Sequence, residues 1–419
     1  MRSKPKGKSS NQELNIRLNS DVRDERLVEA QKTHEKHAKR FSGVIKLLVA
    51  LVVFYFVSLF FLLPYDLWSF DTAYLFETIS SHFKGFCEVV FGIAPSSGMT
   101  GRICQCLGAV IAGAALASCG AVFQGSFRNV MAGPSTMGVM SGGMLGCLLY
   151  LLSPAYTVSS AAVTIVQYNP TAPAPTFLET YGLQLCIFFG CLLAVLLVLG
   201  ISIAAGRGRV SAPAMILSGS VFSTIVGTFT SMIQYSMIVT NPDDERIDAI
   251  RDIMLGNFSK VGNFEALLMF LIPVAICLVV LMFLRGRLNA LAFGEDEATT
   301  MGVNVMFYRV VMTLIGTVLT ASVVAYCGQI GFLGFMVPLI GRKIAGPDMR
   351  YLLPTCICLG AIMLLGIYDV AYFFNMSDTL NVFTSMIGCC VMLFTLMGKK
   401  GGARSASFEG GNRAGMGAR

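Results

Sequence analysis

The sequence predicts an all-α integral membrane protein with about ten transmembrane helices. Three observations lead there: of 419 residues 55% are hydrophobic and only 13% charged, the mean hydropathy is +0.69, and long apolar runs recur between polar punctuation. A soluble domain carries about a quarter charged residues, and a helix needs about 20 mostly apolar residues to cross a hydrocarbon core of about 30 Å. A β-barrel is excluded because the required segments of alternating hydrophobicity are absent.

The chain opens with a polar tail, 1–43, of mixed charge. It is too long and too charged for the front of a signal peptide, so the first apolar run, 44–63 (VIKLLVALVVFYFVSLFFLL), reads as an uncleaved anchor. Further spans are expected at 103–125, 133–152, 182–204, 213–239, 264–284, 305–326, 330–345, 351–373 and 380–397. The eighth is short enough to be re-entrant. The membrane domain therefore covers 44–398, and 399–419 is a tail rich in Gly and basic residues.

Basic residues set the orientation, since loops rich in Lys and Arg stay in the cytoplasm. The amino-terminal tail, Arg128, Arg207/Arg209, Arg285/Arg287, Arg342/Lys343/Arg350 and Lys399/Lys400/Arg404 all fall on one side. The opposite loop 153–181 holds Glu179 and no Lys or Arg, and 374–379 holds only Asp378. A multi-pass protein of the plasma (inner) membrane with both termini cytoplasmic is expected. The net charge of +7 then reflects topology beside anionic lipid rather than nucleic-acid binding. The stretch 240–262 reads as an outer loop of mixed charge.

Most of the 13 cysteines lie in spans, where a free thiol behaves as a small hydrophobe. Cys104 and Cys106, like Cys356 and Cys358, point to different helix faces and cannot chelate together. His34 and His37 sit in the tail and His82 in an outer loop, so no metal site is expected; Cys87 alone occupies a clear outer loop. Gly138, Gly142 and Gly146 recur every four residues in span three, as do Gly219, Ser223, Gly227 and Ser231 in span five. Such rows allow close helix packing in lipid; the second, with Thr224, Thr228 and Gln234 nearby, could instead line a polar passage.

Ionisable residues deep in a span are costly and usually functional. Asp369 is the main example, towards the outer end of span nine, where it touches a substrate or partner or else pairs internally. No G-x-x-x-x-G-K-[ST] loop occurs, and "LSGS" at 217–220 lies inside an apolar helix, so no nucleotide chemistry is expected of this chain. The remaining feature is "LNALAFGEDEATTMGVN", 288–304, on the cytoplasmic side between spans six and seven. Glu295, Asp296 and Glu297 would complement the positive end of a short helix, and Gly302 suits a left-handed cap after it. The residues alone leave a surface helix and a solvated loop equally open.

From residue 102 onward the chain resembles the cobalamin, haem and ferric-siderophore permease family of type II ABC importers. The resemblance rests on "GAVIAGAALASCGAVFQGSFRNVMAGPSTMGVMSGG" (108–143), on "LNALAFGEDEATTMGVNV", and on "GQIGFLGFMVPLIGRKIAGPDMRYLLP" (328–354), in order over about three hundred residues. It implies the type II importer permease fold, a second permease subunit as homo- or heterodimer, two ATPase subunits that bind ATP and Mg, and an extracytoplasmic substrate-binding protein. It also implies that Leu291, Gly294, Glu295, Asp296, Glu297, Ala298, Met301 and Gly302 form the ATPase-coupling segment within 288–304. Val210 and Ser211 match a cytoplasmic gate, and Gly219, Ser223, Gly227 and Ser231 a passage-lining helix. Arg102 matches a position that docks the binding protein. The implied cargo is an iron-siderophore, haem or cobalamin-type chelate.

The departures mark a divergent member. Gln105 stands where the family has a second arginine, and Phe373 where a further outer arginine is expected. Asn129-Val130-Met131-Ala132 replaces N-P-L-A, Leu339 replaces a histidine, and the last span lacks the family's prolines. An ion-coupled secondary transporter, which needs ionisable ligands at mid-membrane, and a non-transporting scaffold are the alternative readings.

Overall fold

The computed structural model describes residues 40–59, 97–156, 176–206, 210 and 212–409. The expectations for residues 1–39, for His82 and Cys87, and for most of the loop after span three lie outside those residues. The principal α-helices follow in order: α1 (Arg40–Leu59), α2 (Ser97–Phe127), α3 (Val139–Leu151), α4 (Phe177–Ala205), α5 (Ala212–Thr240), α6 (Glu245–Leu255), α7 (Phe264–Phe293), α8 (Glu295–Thr300), α9 (Val305–Cys327), α10 (Leu333–Ala345), α11 (Met349–Phe373) and α12 (Leu380–Glu409). No strand occurs among the described residues. Eight of these helices are long and apolar enough to cross a bilayer, and α3 and α10, of 13 residues each, take the places of the third and eighth expected spans.

Helix α2 is the centre of the bundle and is mostly buried, because its small residues let neighbours approach to backbone distance. A Cβ added at Gly113 would lie 2.7 Å from the carbonyl carbon of Gly360 on α11, and one at Gly120 would lie 2.9 Å from the Cα of Gly334 on α10. No side chain larger than hydrogen fits either crossing.

The glycine row of span three divides into two roles. Gly142 and Gly146 pack on α4, where a Cβ at Gly190 would meet the carbonyl oxygen of Gly142 at 2.5 Å. Gly138 instead sits ahead of α3 in the left-handed region, with φ 76°. The expected span of 133–152 therefore shortens to 139–151, since Gly133 and Pro134 begin a run of turns that an α-helix cannot absorb. Helix α4 starts earlier than expected, at Phe177, because Glu179 reaches back to accept from the Thr176 amide at 2.6 Å and its hydroxyl at 2.7 Å.

The stretch 240–262 is not simply a loop. It folds as the amphipathic helix α6, which buries Ile247, Ile250 and Ile253 and exposes Asp248 and Arg251. Asp244 caps it by accepting from the Arg246 amide at 2.9 Å. Its far end is sewn to two spans: Gln329 N donates to Ile253 O at 2.7 Å, Asn257 N to Cys327 O at 3.0 Å and Leu380 N to Gly256 O at 3.2 Å.

A polar clamp ties α1, α2 and α11 at the same end of the bundle. Ser58 Oγ donates to Asp369 Oδ1 at 2.7 Å, and Arg102 Nη2 donates to Ser58 O at 3.1 Å while standing 3.8 Å from Asp369 Oδ1. The Arg102 guanidinium lies 4.0 Å from the centre of the Tyr372 ring. Of the two roles open to Asp369, the structure displays internal pairing.

The Arg246 amide donated to Asp244 holds that carboxyl below its ordinary range. A lowered carboxyl stabilises the fold fully above its unfolded value, about 3.9, and loses that contribution as pH falls through the lower folded value. Asp244→Ala is expected to weaken α6 by about 1 kcal/mol at neutral pH, read as faster amide exchange over 246–255. Acidification of the wild type below the ordinary carboxylate range should reproduce the effect.

Candidate functional site

The acidic stretch forms a short helix, and local chemistry explains both its ends. Helix α7 does not stop with span six but runs on to Phe293, so Leu288 and Leu291 of the 288–304 segment belong to its last turns. Gly294 then breaks the helix with φ 151°, ψ 166°, and α8 follows for six residues. At its far end Met301 N donates to Glu297 O at 3.1 Å, Gly302 N to Thr299 O at 2.9 Å and Val303 N to Ala298 O at 2.9 Å. This closure needs the left-handed backbone that Gly302 adopts, φ 74°.

Helix α8 has an apolar underside. Ala298 and Val303 pack with Ala290 in a small cluster of their own, flanked by Val305 and Tyr308, and Leu291 is buried beside it. Glu295, Glu297, Thr299, Thr300 and Met301 are exposed; the Asp296 side chain lies outside the described residues. The segment thus presents two carboxylates, two hydroxyls and a methionine from a seat fixed on α7 and α9.

One of these acids is not solvated alone. Arg309, in the first turns of α9, donates from Nη2 to Glu295 Oε1 at 2.9 Å, from Nη1 to Val210 O at 2.8 Å and from Nε to Ser126 O at 3.2 Å. Its guanidinium stands 5.8 Å from the Phe127 ring centre, and the residue is only 7% exposed. An arginine inside the apolar run of span seven is itself a signal, and a reading that takes Asp369 as the main ionisable residue of the spans passes over it.

The other sequence-derived positions divide. Val210 is buried and meets Arg309 through its carbonyl; Ser211 lies outside the described residues. Gly219 does not belong to an open face as expected: a Cβ there would lie 2.8 Å from the Cα of Met137, so it is a packing residue. Ser223 is half-buried, whereas Gly227 and Ser231 are exposed. The exposed polar stripe is instead Ser220, Thr224, Gly227, Thr228 and Ser231, opposite a buried edge of Met215, Gly219, Val226 and Thr230. Its hydroxyls turn back on the helix, Thr224 Oγ1 to Ser220 O at 3.0 Å, Thr228 Oγ1 to Thr224 O at 2.9 Å and Ser231 Oγ to Gly227 O at 3.0 Å. Arg102, expected on a docking surface, is 6% exposed and held inside the clamp with Ser58 and Asp369, because a guanidinium near lipid is least costly when its charge is paired. No cluster of His, Cys, Asp and Glu able to hold a metal is found among the described residues.

Residues 67–398 match the model of the FecCD transport family. The chain is 32% identical over 293 residues to the cobalamin import system permease protein BtuC of Halobacterium salinarum, covering 69% of this chain and 70% of that protein. It is 30% identical to the molybdate import system permease protein MolB of Haemophilus influenzae, covering 68% and 77%. A solved structure described as a metal-chelate type ABC transporter in an inward-facing conformation superposes with a TM-score of 0.64 at 25% identity, covering 86% of this chain and 99% of that one.

The Gly302 closure is directly testable. A Cβ at Gly302 meets nothing within 4 Å, so Gly302→Ala costs only the left-handed backbone, about 1–2 kcal/mol. Amide exchange at 301–303 should rise about tenfold, while Gly302→Asn, which tolerates this conformation, should remain near the wild type.

Proposed function

The chain belongs to the FecCD transport family of ABC-importer permeases, and from that membership we propose that it forms half of a passage for a chelated metal, switched by ATPase subunits that grip α8. ATP and Mg are bound by those partners, an extracytoplasmic binding protein delivers the cargo, and a second permease subunit completes the passage. Cargoes are iron chelate, haem or corrinoid, in that order.

The observation that carries this reading is α8 itself. A helix this short has little stability alone, yet it is locked to α7 and α9 by its underside and its glycine closure, and the exposed side carries charge and a methionine. That is the build of a rigid contact for a soluble partner. Drawing the two ATPases together on ATP binding would push α8, and with it the neighbouring spans.

The orientation is supported by the way the fold gathers charge. Arg128, Arg285, Arg287, Arg342, Lys343 and Arg350 sit at the α8 end and outnumber Glu295, Asp296, Glu297 and Asp348, whereas Asp243, Asp244, Glu245, Asp248, Asp252, Glu265 and Asp378 sit at the α6 end and outnumber Arg246, Arg251 and Lys260. The α8 end is cytoplasmic by the positive-inside rule, and the acidic end faces the delivering protein. Both termini are then cytoplasmic and the protein resides in the inner cell membrane.

Helix α5 supports the passage. Its polar stripe runs beside an exposed apolar one of Val221, Ile225, Phe229 and Met232, which suits a helix facing an aqueous path on one side and a second subunit on the other. Because the stripe's hydroxyl hydrogens are largely spent on the helix's own carbonyls, it offers few donors to a bare oxyanion. A bulky solute already wrapped by its chelator needs none, and selectivity then resides mainly in the binding protein.

Proteoliposomes holding the permease, its ATPase and its binding protein test the reading with ferric hydroxamate, haemin, cobalamin and molybdate. ATP-dependent uptake of one of the three chelates is expected; uptake of molybdate alone would overturn the cargo assignment. Gly227 has nothing within 4 Å of an added Cβ, so Gly227→Phe should fold normally and lower uptake by about tenfold or more through narrowing of the path. Glu297→Lys with Met301→Glu should reduce co-purification of the ATPase.

A further inference from the structure

We infer that Arg309 is the positioning residue that links the ATPase-contacting helix α8 to the segment carrying Val210, so that the two move together. The inference rests on the reading of α8 given above and adds the physical connection that the reading lacks.

The three acceptors of Arg309 belong to three separate parts of the chain. Glu295 is on α8, Val210 lies in the connection between α4 and α5, and Ser126 is in the last turn of α2. They are 14, 99 and 183 residues away in sequence, so nothing but folding brings them to one guanidinium. The group is planar and rigid, with its N–H donors in a fixed fork. A shift of Glu295 that is followed by Nη2 therefore turns the plane and carries Nη1, and the Val210 carbonyl bonded to it, in the same motion.

Burial makes the link obligatory. The Arg309 side chain is 9% exposed and that of Glu295 55%, so the cation is withdrawn from water while its anionic partner remains accessible. A buried charge cannot drop a partner without a large desolvation cost, and Arg309 has little access to water as a substitute acceptor. The exposed Glu295, by contrast, can be approached by a cationic side chain of a docked protein. Competition for that carboxylate at the surface is felt by the buried arginine, and through it by Val210.

The second end of the link is anchored. Ser126 closes α2, whose glycine crossings fix it in the centre of the bundle, and Phe127 lies beside the guanidinium. Helix α2 is thus the fixed point, α8 the input and the Val210 segment the output. A lysine in place of Arg309 would retain the charge but offer a point donor rather than a fork. It can satisfy Glu295 and cannot hold the same three directions at once.

The test is amide exchange on the complete complex of permease and ATPase, with and without ATP, Mg and vanadate as the probe. In the wild type, nucleotide should alter exchange both at α8, 295–303, and in the segment 210–216. In R309K the α8 response should persist while the response at 210–216 falls about tenfold, the shift expected from losing a charged hydrogen bond. E295A, which leaves Nη2 without this acceptor, should uncouple the same segment, and the double variant E295A/R309K should be no worse than either alone, since both break the one path from α8 to Val210. An undiminished response at 210–216 in R309K and E295A, or losses that add in the double variant, would overturn the inference. A wild type in which α8 does not respond to nucleotide at all would instead overturn the assignment of α8 as the ATPase contact, so the two failures are distinct.

Discussion

Backbone contact at glycine is the constraint on which the rest of this structure depends. Lipid gives helices no hydrophobic reason to associate, because a neighbouring acyl chain is as apolar as a leucine. Cohesion must come from close packing, and close packing needs positions without side chains. Gly113 against Gly360 and Gly120 against Gly334 supply it around α2, and Gly142, Gly146 and Gly190 supply it between α3 and α4. Once α2 is fixed, its two ends define where polar chemistry can be placed: Arg102 near the first turn and Ser126 in the last.

The polar groups at those ends follow a common rule. Two buried arginines are each shared among backbone carbonyl, carboxylate and aromatic face: Arg102 among Ser58 O, Asp369 and Tyr372, Arg309 among Ser126 O, Val210 O, Glu295 and Phe127. The two differ in the exposure of the anion. The Asp369 side chain is 3% exposed, so its pair is sealed from water where it joins three spans. Glu295 is open to water, so its pair can respond to what arrives from outside the bundle. Similar chemistry gives a rivet at one end and an adjustable link at the other.

Much of this is legible in the sequence, and the misses have physical causes. Spans can be counted because hydrophobic length is a one-dimensional property, and the α8 closure can be placed because a glycine after a short acidic run has a local meaning. Helix α6 is harder to see because its charges draw attention away from Ile247, Ile250 and Ile253, whose spacing of three matches one helical face; Asp244 and Gly256 even mark its ends. Arg102 and Asp369 read singly give no hint of each other, since no local pattern tells that residues 267 positions apart will meet. The same holds for Arg309, whose partners come from three segments. Gly219 shows the limit of periodicity: it shares a row with Gly227 and Ser231, yet the turns ahead of α3 close over its end of the row only.

The uneven burial of the helices bears on where such a protein can move. Shifting α2 would open several glycine crossings together, and in a close-packed bundle the dispersion attraction given up on one side of a helix is not recovered on the other. Helix α5 is buried along one edge, at Met215, Gly219, Val226 and Thr230, with Phe222, Ile233 and Met237 partly buried against the core; Phe229, Met232 and Tyr235 are largely exposed, and α12 is as sparsely covered. A tilt of α5 about that edge disturbs little of the packing within the chain. The segment entering α5 contains Val210, the residue tied to Arg309. A displacement applied at α8 would therefore meet a stiff centre and a compliant neighbour, and the compliant neighbour is the helix that carries the polar stripe.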